Sequence, residues 1–300
     1  MNTSRMLLLA AGLACAGAGQ AQVDLSRGGP ISTLDANPKP LQYVSQSLAR
    51  NLSAGTRYFD DLYALSSATS SNLNLVPDPL GSNRQVFRMK LLKSDPLVNG
   101  GSRTEVTLKY EYVIEGVRWY AMSVLFPPDW QFNIEPSVVT QLHTSQKTTV
   151  VPPPVSITAT NNDLNLELYY NYRNMNGLGS DPATRANTGQ QTVRLGKFVT
   201  NKWYCFVFRV DWSYKPGTGS LSMWLNGNQM YDAKNAYNAY ETWLGNYPKV
   251  GVYQPGVMSV PARSIYTDFI HVGGIQSTYE QMAALTPCGV YPQPLPPLIK

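Results

Sequence analysis

Hydrophobic and polar residues alternate in short runs along most of the chain, and glycine, proline, asparagine and aspartate repeatedly break the runs. From residue 84 onward the pattern predicts strands at Gln85–Leu92, Arg103–Ile114, Arg118–Phe126, Val138–His143, Val155–Ala159 and Leu164–Tyr172. Further strands are predicted at Gln191–Leu195, Trp203–Trp212, Leu221–Leu225, Lys249–Tyr253 and Ser264–Val272. Turn signals such as Pro216-Gly217 and Asn226-Gly227 separate them. Many short strands without long helices between them imply an all-β sandwich or barrel. No linker or fixed-period repeat interrupts the series, so residues 84–286 read as one domain.

The flanks differ. Residues 1–21 have the form of a signal peptide, with Arg5, an apolar run from Met6 to Ala18 and a small-x-small end at Gly19-Gln20-Ala21. A lipoprotein processing site at Cys15 is the competing reading. Residues 22–83 read as an N-terminal extension, extended to about residue 40, with weak helical spacing in Leu41–Ala54 and Thr56–Leu65. The proline-rich tail, 287–300, is expected to be extended.

Three predicted strands place functional side chains on one face and aliphatic ones on the other. Arg103 and Glu105 share a face, as do Gln141 and His143, and as do Lys249, Gly251 and Tyr253. Gly251 is expected to leave room for a ligand. Each strand alone could simply face solvent. Together they supply what β-elimination on a uronic acid requires. Arg103 and Gln141 can neutralise the sugar carboxylate, and His143 can act as a base near neutral pH. Tyr253 can protonate the leaving oxygen, and Lys249 adds positive charge for binding.

These segments resemble the R-[ST]-E-L, Q-I-H and Y-F-K-A-G-x-Y motifs of jelly-roll alginate lyases. The passage from Trp203 through Trp212 to Leu221-Ser222-Met223-Trp224-Leu225-Asn226-Gly227 resembles the meander of concanavalin A-like lyases. With Gly116-Val117-Arg118-Trp119-Tyr120 it is similar to the heparin lyase I and glucuronan lyase group. The resemblance implies a concanavalin A-like β-jelly-roll sandwich of two antiparallel sheets with a concave substrate cleft. It implies catalytic roles for Arg103, Gln141, His143 and Tyr253, and cleft-lining roles for Glu105 and Lys249. The departures, Val106, Leu142, Pro248 and Val250, fall on the face away from the proposed cleft. In glucuronate or mannuronate the C5 hydrogen and C4 oxygen leave from one side, so Tyr253 could serve as both base and acid. In guluronate or iduronate they leave from opposite sides, and His143 would be the base.

Composition narrows the partners. The chain carries net charge +5, and loss of residues 1–21 would remove only Arg5, lowering it by one to +4. No lysine or arginine block suggests nucleic acid, and no segment suggests a permanent membrane span. An exported (periplasmic or extracellular) monomer acting on an anionic polysaccharide, with glucuronan and alginate foremost, is expected. The 19 tyrosines and 6 tryptophans suit a sugar cleft and a β-sheet equally. Cys205 and Cys288 could form a disulfide in an oxidising compartment, or Cys205 could be a buried thiol. No Cys/His cluster has ligand spacing, so no metal site or cofactor is expected. A structural Ca²⁺ stays open, although no sequence feature indicates one.

Secondary candidates are Arg173, in a possible binding loop between Asn171 and Gln190, and a lid between Thr144 and Pro154. His271 reads as structural, and Asp268 as orienting a neighbour. Two other functions fit the fold: a non-catalytic carbohydrate-binding jelly roll, and a glycoside hydrolase. The second needs a pair of opposed carboxylates, and Glu105 lacks an obvious partner.

Overall fold

A computed structural model describes residues 30–32, 63–108, 111–145, 151–171, 188–240, 245–256 and 258–290. Its strands are β1 (Pro30–Ser32), β2 (Tyr63–Ser67), β3 (Leu73–Pro77), β4 (Gln85–Leu92), β5 (Gly101–Leu108), β6 (Gly116–Leu125), β7 (Ser137–Thr144) and β8 (Val155–Thr160). They continue as β9 (Asp163–Asn171), β10 (Thr188–Lys197), β11 (Trp203–Trp212), β12 (Gly219–Leu225), β13 (Asn228–Ala236), β14 (Asn246–Pro255), β15 (Ala262–Thr267) and β16 (His271–Gly273).

They form two antiparallel sheets that are not closed into a barrel. One has seven strands in the order β10-β9-β8-β7-β14-β5-β2. The other has nine, in the order β13-β12-β11-β6-β15-β4-β3, with β16 on β6 and β1 on β16. Alternation decides which faces meet. Val106, Leu142, Ile157, Leu166, Val250 and Val252 of the first sheet are buried against Tyr120, Met122, Phe206, Phe208 and Val210 of the second. Each such aliphatic or aromatic side chain contributes about 1.5–3 kcal/mol on burial, so the facing surfaces hold the sandwich together.

The outer face of the nine-stranded sheet is also apolar. Trp119, Ala121 and Val207 pack with Met282, and Trp203, Val86 and Leu125 cluster with Cys205. Two short helices, α1 (Tyr279–Ala284) and α2 (Pro287–Val290), cover this surface. Thr278 and Gln281 close a reciprocal capping box at the start of α1. A disulfide joins Cys205 on β11 to Cys288 on α2. Arg84 adds a second tie, donating to Asp268 at 3.0 Å and to the Leu285 carbonyl at 2.9 Å.

Several boundaries differ from the sequence expectation. The sandwich begins before residue 84, because β2 and β3 are paired strands of the two sheets. The weak helical spacing expected to run to Leu65 gives way to a strand at Tyr63, where Tyr63 and Leu65 point into the core. Leu41–Ala54 lies outside the described residues. The strand expected to reach Ile114 ends at Leu108. Ser264–Val272 breaks into β15 and β16 around Asp268, whose carboxylate is committed to Arg84. β13 was absent from the pattern because its sequence is mostly polar and none of it is fully buried. It forms because Asn226 and Gly227, at φ 48° and 98°, turn the chain straight back along β12. The tail is helical at Pro287–Val290, where Cys288 is bonded to the sheet.

Candidate active site

The outward face of the seven-stranded sheet carries the residues singled out in sequence. β14 lies between β5 and β7, and their register brings the three polar strands together. Glu105 pairs with Gly251 and Arg103 with Tyr253, while Lys249 pairs with Gln141 and Tyr247 with His143.

At the centre is Glu105, 1% exposed. Its Oε2 accepts from Lys249 Nζ at 2.8 Å and from Arg103 Nη1 at 3.3 Å. Its Oε1 accepts from the Gln141 side-chain amide. Burial alone would raise the Glu105 pKa, but the Lys249 ammonium and the Arg103 guanidinium outweigh it and hold the carboxyl below its ordinary value. The carboxylate stays ionised and fixes three donors in place.

Those donors are not exhausted. Arg103 spends Nη2 on the Asn99 carbonyl at 3.3 Å, yet its Nε is buried with no partner among the described residues. The Gln141 amide has a second N–H, and the Lys249 ammonium has two more. An anion arriving here meets oriented, already desolvated donors.

Two mostly buried groups flank this network. On one side the Tyr253 ring lies under the Arg103 guanidinium, whose carbon is 4.0 Å from the ring centroid. Tyr253 also leans against Gly101, where an added Cβ would come within 2.4 Å of the ring. On the other side, His143 Nδ1 lies 2.7 Å from the Thr144 carbonyl. A carbonyl only accepts, so Nδ1 carries the proton and Nε2 keeps its lone pair, with no hydrogen-bond partner among the described residues. Burial, with the Lys249 charge adding to it, lowers the His143 pKa to about 4, so the ring is neutral at physiological pH.

Tyr247 completes this side. Its hydroxyl is 3.5 Å from His143 Nδ1, and Tyr112 packs on its far face with ring centroids 5.1 Å apart. Burial raises the Tyr247 pKa further above its ordinary value, so it remains protonated. Sequence reasoning passed over Tyr247, although the Y-F-K-A-G-x-Y pattern opens with a tyrosine at this position.

Gly251 plays a different part from the one expected. A Cβ there would come within 2.3 Å of the Thr104 carbonyl oxygen and 2.5 Å of Glu105 Cα, at a φ of 153°. The missing side chain admits the β5 backbone and Glu105, not a ligand. Arg173 lies outside the described residues, as do 146–150 of the lid candidate. His271 is buried on the other sheet, 3.6 Å from Asp268. Among the described residues, no group of three His, Cys, Asp or Glu could hold a metal ion.

The arrangement therefore offers a desolvated anion site with a neutral imidazole on one side and a phenol on the other. A profile of polysaccharide lyases matches residues 52–271. The chain belongs to the polysaccharide lyase family. This lyase resembles an endo-β-1,4-glucuronan lyase from the fungus Trichoderma reesei, with a TM-score of 0.58 and 17% identity, covering 70% of this chain and 88% of that one. It also matches alginate lyase A1-II′ of polysaccharide lyase family 7 (TM-score 0.48, 14% identity, 71% and 95% coverage). The family 7 alginate lyase AlgAT5 matches with a TM-score of 0.46 and 12% identity, over 70% and 93% of the two chains. No curated protein sequence matches the lyase. The glucuronan lyase match agrees with the jelly-roll arrangement of the two sheets, and the family assignment makes the protein an enzyme acting on a polysaccharide.

Proposed function

We propose that the protein cleaves a uronate-containing anionic polysaccharide by β-elimination. The observation that carries this reading is the buried Arg103–Glu105–Lys249–Gln141 network, which keeps donors in reserve for an anion and is flanked by His143 and Tyr253. Arg103, Gln141 and Lys249 bind the sugar carboxylate and stabilise the charge that spreads into it as the C5 proton leaves. The C5–H electron pair forms the C4=C5 double bond while the C4–O bond breaks. The leaving oxygen takes a proton from Tyr253. No water is consumed, and the new non-reducing end is an unsaturated uronate.

His143, neutral and with a lone pair on Nε2, is suited to remove the C5 proton when that hydrogen and the C4 oxygen leave from opposite sides, as in guluronate. When they leave from the same side, as in glucuronate or mannuronate, Tyr253 enters as the phenolate, takes the C5 proton and returns it to the C4 oxygen, and the carboxylate is left to Arg103, Gln141 and Lys249. Alginate and glucuronan are the first substrates to test. The signal-peptide pattern of residues 1–21 supports export as part of this reading.

The glycoside hydrolase alternative fits less well. Glu105 is locked in ion pairs and held ionised, which leaves it unable to protonate a leaving group. Mass spectrometry of limit products tests the proposal. Oligomers lighter by one water than the saturated series are expected, and a purely saturated series would reject elimination.

A further inference from the structure

The outward face of the seven-stranded sheet extends past the Glu105 network, and its charge changes sign on the way. One row of register partners across the strands reads Thr107, Lys249, Gln141, Ser156, Glu167 and Thr192. Neighbouring strands lie about 4.8 Å apart, so Glu167 stands on the order of 10 Å from Gln141 along this row. That is within reach of one bound oligosaccharide.

Leu164, Leu166 and Leu168 of β9 are buried in the core, which turns Asp163, Asn165, Glu167 and Tyr169 outward. Asp163 is neutralised by Arg194 at 2.7 Å. Glu167 Oε2 accepts from Thr192 Oγ1 at 2.6 Å, and Glu167 has no ion-pair partner among the described residues. Tyr169, the next outward residue on β9, is half-buried beside it. Burial and the Glu167 charge together raise the pKa of its hydroxyl.

We propose that Glu167, Tyr169 and Thr192 form a second sugar-binding position that takes an uncharged, hydroxyl-bearing sugar residue and turns away a carboxylate. The proposal rests on the reading of the Arg103 network as the place where a polysaccharide uronate is bound. A carboxylate is a strong acceptor for sugar hydroxyls, and an aromatic ring packs against the apolar face of a sugar. A second uronate brought to this row would set its carboxylate against Glu167, a penalty that works as selection against the wrong partner. The favoured polymer carries the reacting uronate over Gln141 and a carboxylate-free residue over β9.

Binding tests this without requiring turnover. Alginate and glucuronan are each compared with a preparation of the same polymer in which part of the carboxyl groups has been reduced to primary alcohols. Affinities are measured calorimetrically for wild type, Glu167→Gln and Tyr169→Leu, with circular dichroism confirming that each variant is folded. Wild type is expected to prefer the partly reduced polymers. Glu167→Gln should tighten binding of the fully charged polymers by roughly two- to fivefold, the scale of one exposed charge interaction, and erase the preference. That gain should shrink at high salt. Tyr169→Leu should weaken binding of the partly reduced polymers. An unchanged preference in Glu167→Gln, or no binding of any of these polymers by wild type, would overturn the proposal. Formation of unsaturated product by wild type, followed in parallel, tests the elimination reading separately. Its absence with the preference intact would reject the chemistry and leave the second position standing.

Discussion

The Arg103 guanidinium carbon lies 4.0 Å from the centre of the Tyr253 ring, and the register sets the two residues directly opposite each other on β5 and β14. The contact uses the face of the ring, so the phenolic oxygen is not needed for it. Packing and proton transfer can therefore be separated at one residue. Tyr253→Phe should keep the ring under Arg103 and the thermal midpoint near that of wild type. Turnover should fall by roughly 10²–10⁴-fold, the scale of a general acid–base group. Steady-state kinetics with a melting curve checks both, and near-normal turnover would remove Tyr253 from the chemistry.

Glu105 compensates two buried cations, Lys249 at 2.8 Å and Arg103 at 3.3 Å. Glu105→Gln leaves both without a counter-charge and should cost roughly 3–5 kcal/mol in denaturant unfolding. The pH dependence has a definite sign. Because the folded carboxyl titrates below its ordinary value of 4.5, the stabilisation is complete above that value and is lost as pH falls below it through the folded pKa. The variant should lack this component of acid unfolding.

His143 supplies a pH test of mechanism. Its pKa is lowered from 6.5 to about 4, so the free enzyme keeps a usable Nε2 lone pair well into the acid range. On a substrate for which His143 is the base, kcat/KM should hold between neutral pH and about 5 and fall only near pH 4. An acid limb at about 6.5 would contradict the environment described for this ring. Stability follows the same sign. Between pH 6.5 and about 4 the unfolded chain takes up a proton that folded His143 refuses, so this contribution falls as the pH falls.

The Cys205–Cys288 bond closes 83 residues of chain and lies on the nine-stranded sheet, away from the Glu105 network. Replacing both cysteines by serine should cost roughly 2–5 kcal/mol of stability. Well below the lowered melting temperature, kcat should stay close to wild type. A large loss of kcat there would show that the two faces are coupled.

Much of this architecture was legible in the sequence, because alternation with period two announces strands whose two faces differ in polarity. Gln85–Leu92 and Trp203–Trp212 coincide with β4 and β11, and the three polar strands of the site are neighbours in one sheet. The losses have physical causes. β13 offers only Met230 and Tyr231 to the core, too few to show a period, so only its hairpin turn signals it. Tyr63–Ser67 is too short for its period to be separated from helical spacing. Glu105 looked like a cleft-lining residue because a sequence shows which face a side chain takes, not that three donors converge on it. Gly251 looked like space for a ligand because a missing Cβ does not say what fills its place. Tyr247 was passed over because its partners, His143 and Tyr112, come from other segments of the chain.

The central claim is elimination, and the product chromophore tests it most directly. Purified protein is incubated with alginate and with glucuronan while the ultraviolet absorbance of the conjugated C=C–carboxylate is followed. A steady rise with wild type on at least one polymer, lost in Tyr253→Phe, is the predicted result. New reducing ends without any rise in absorbance would contradict it.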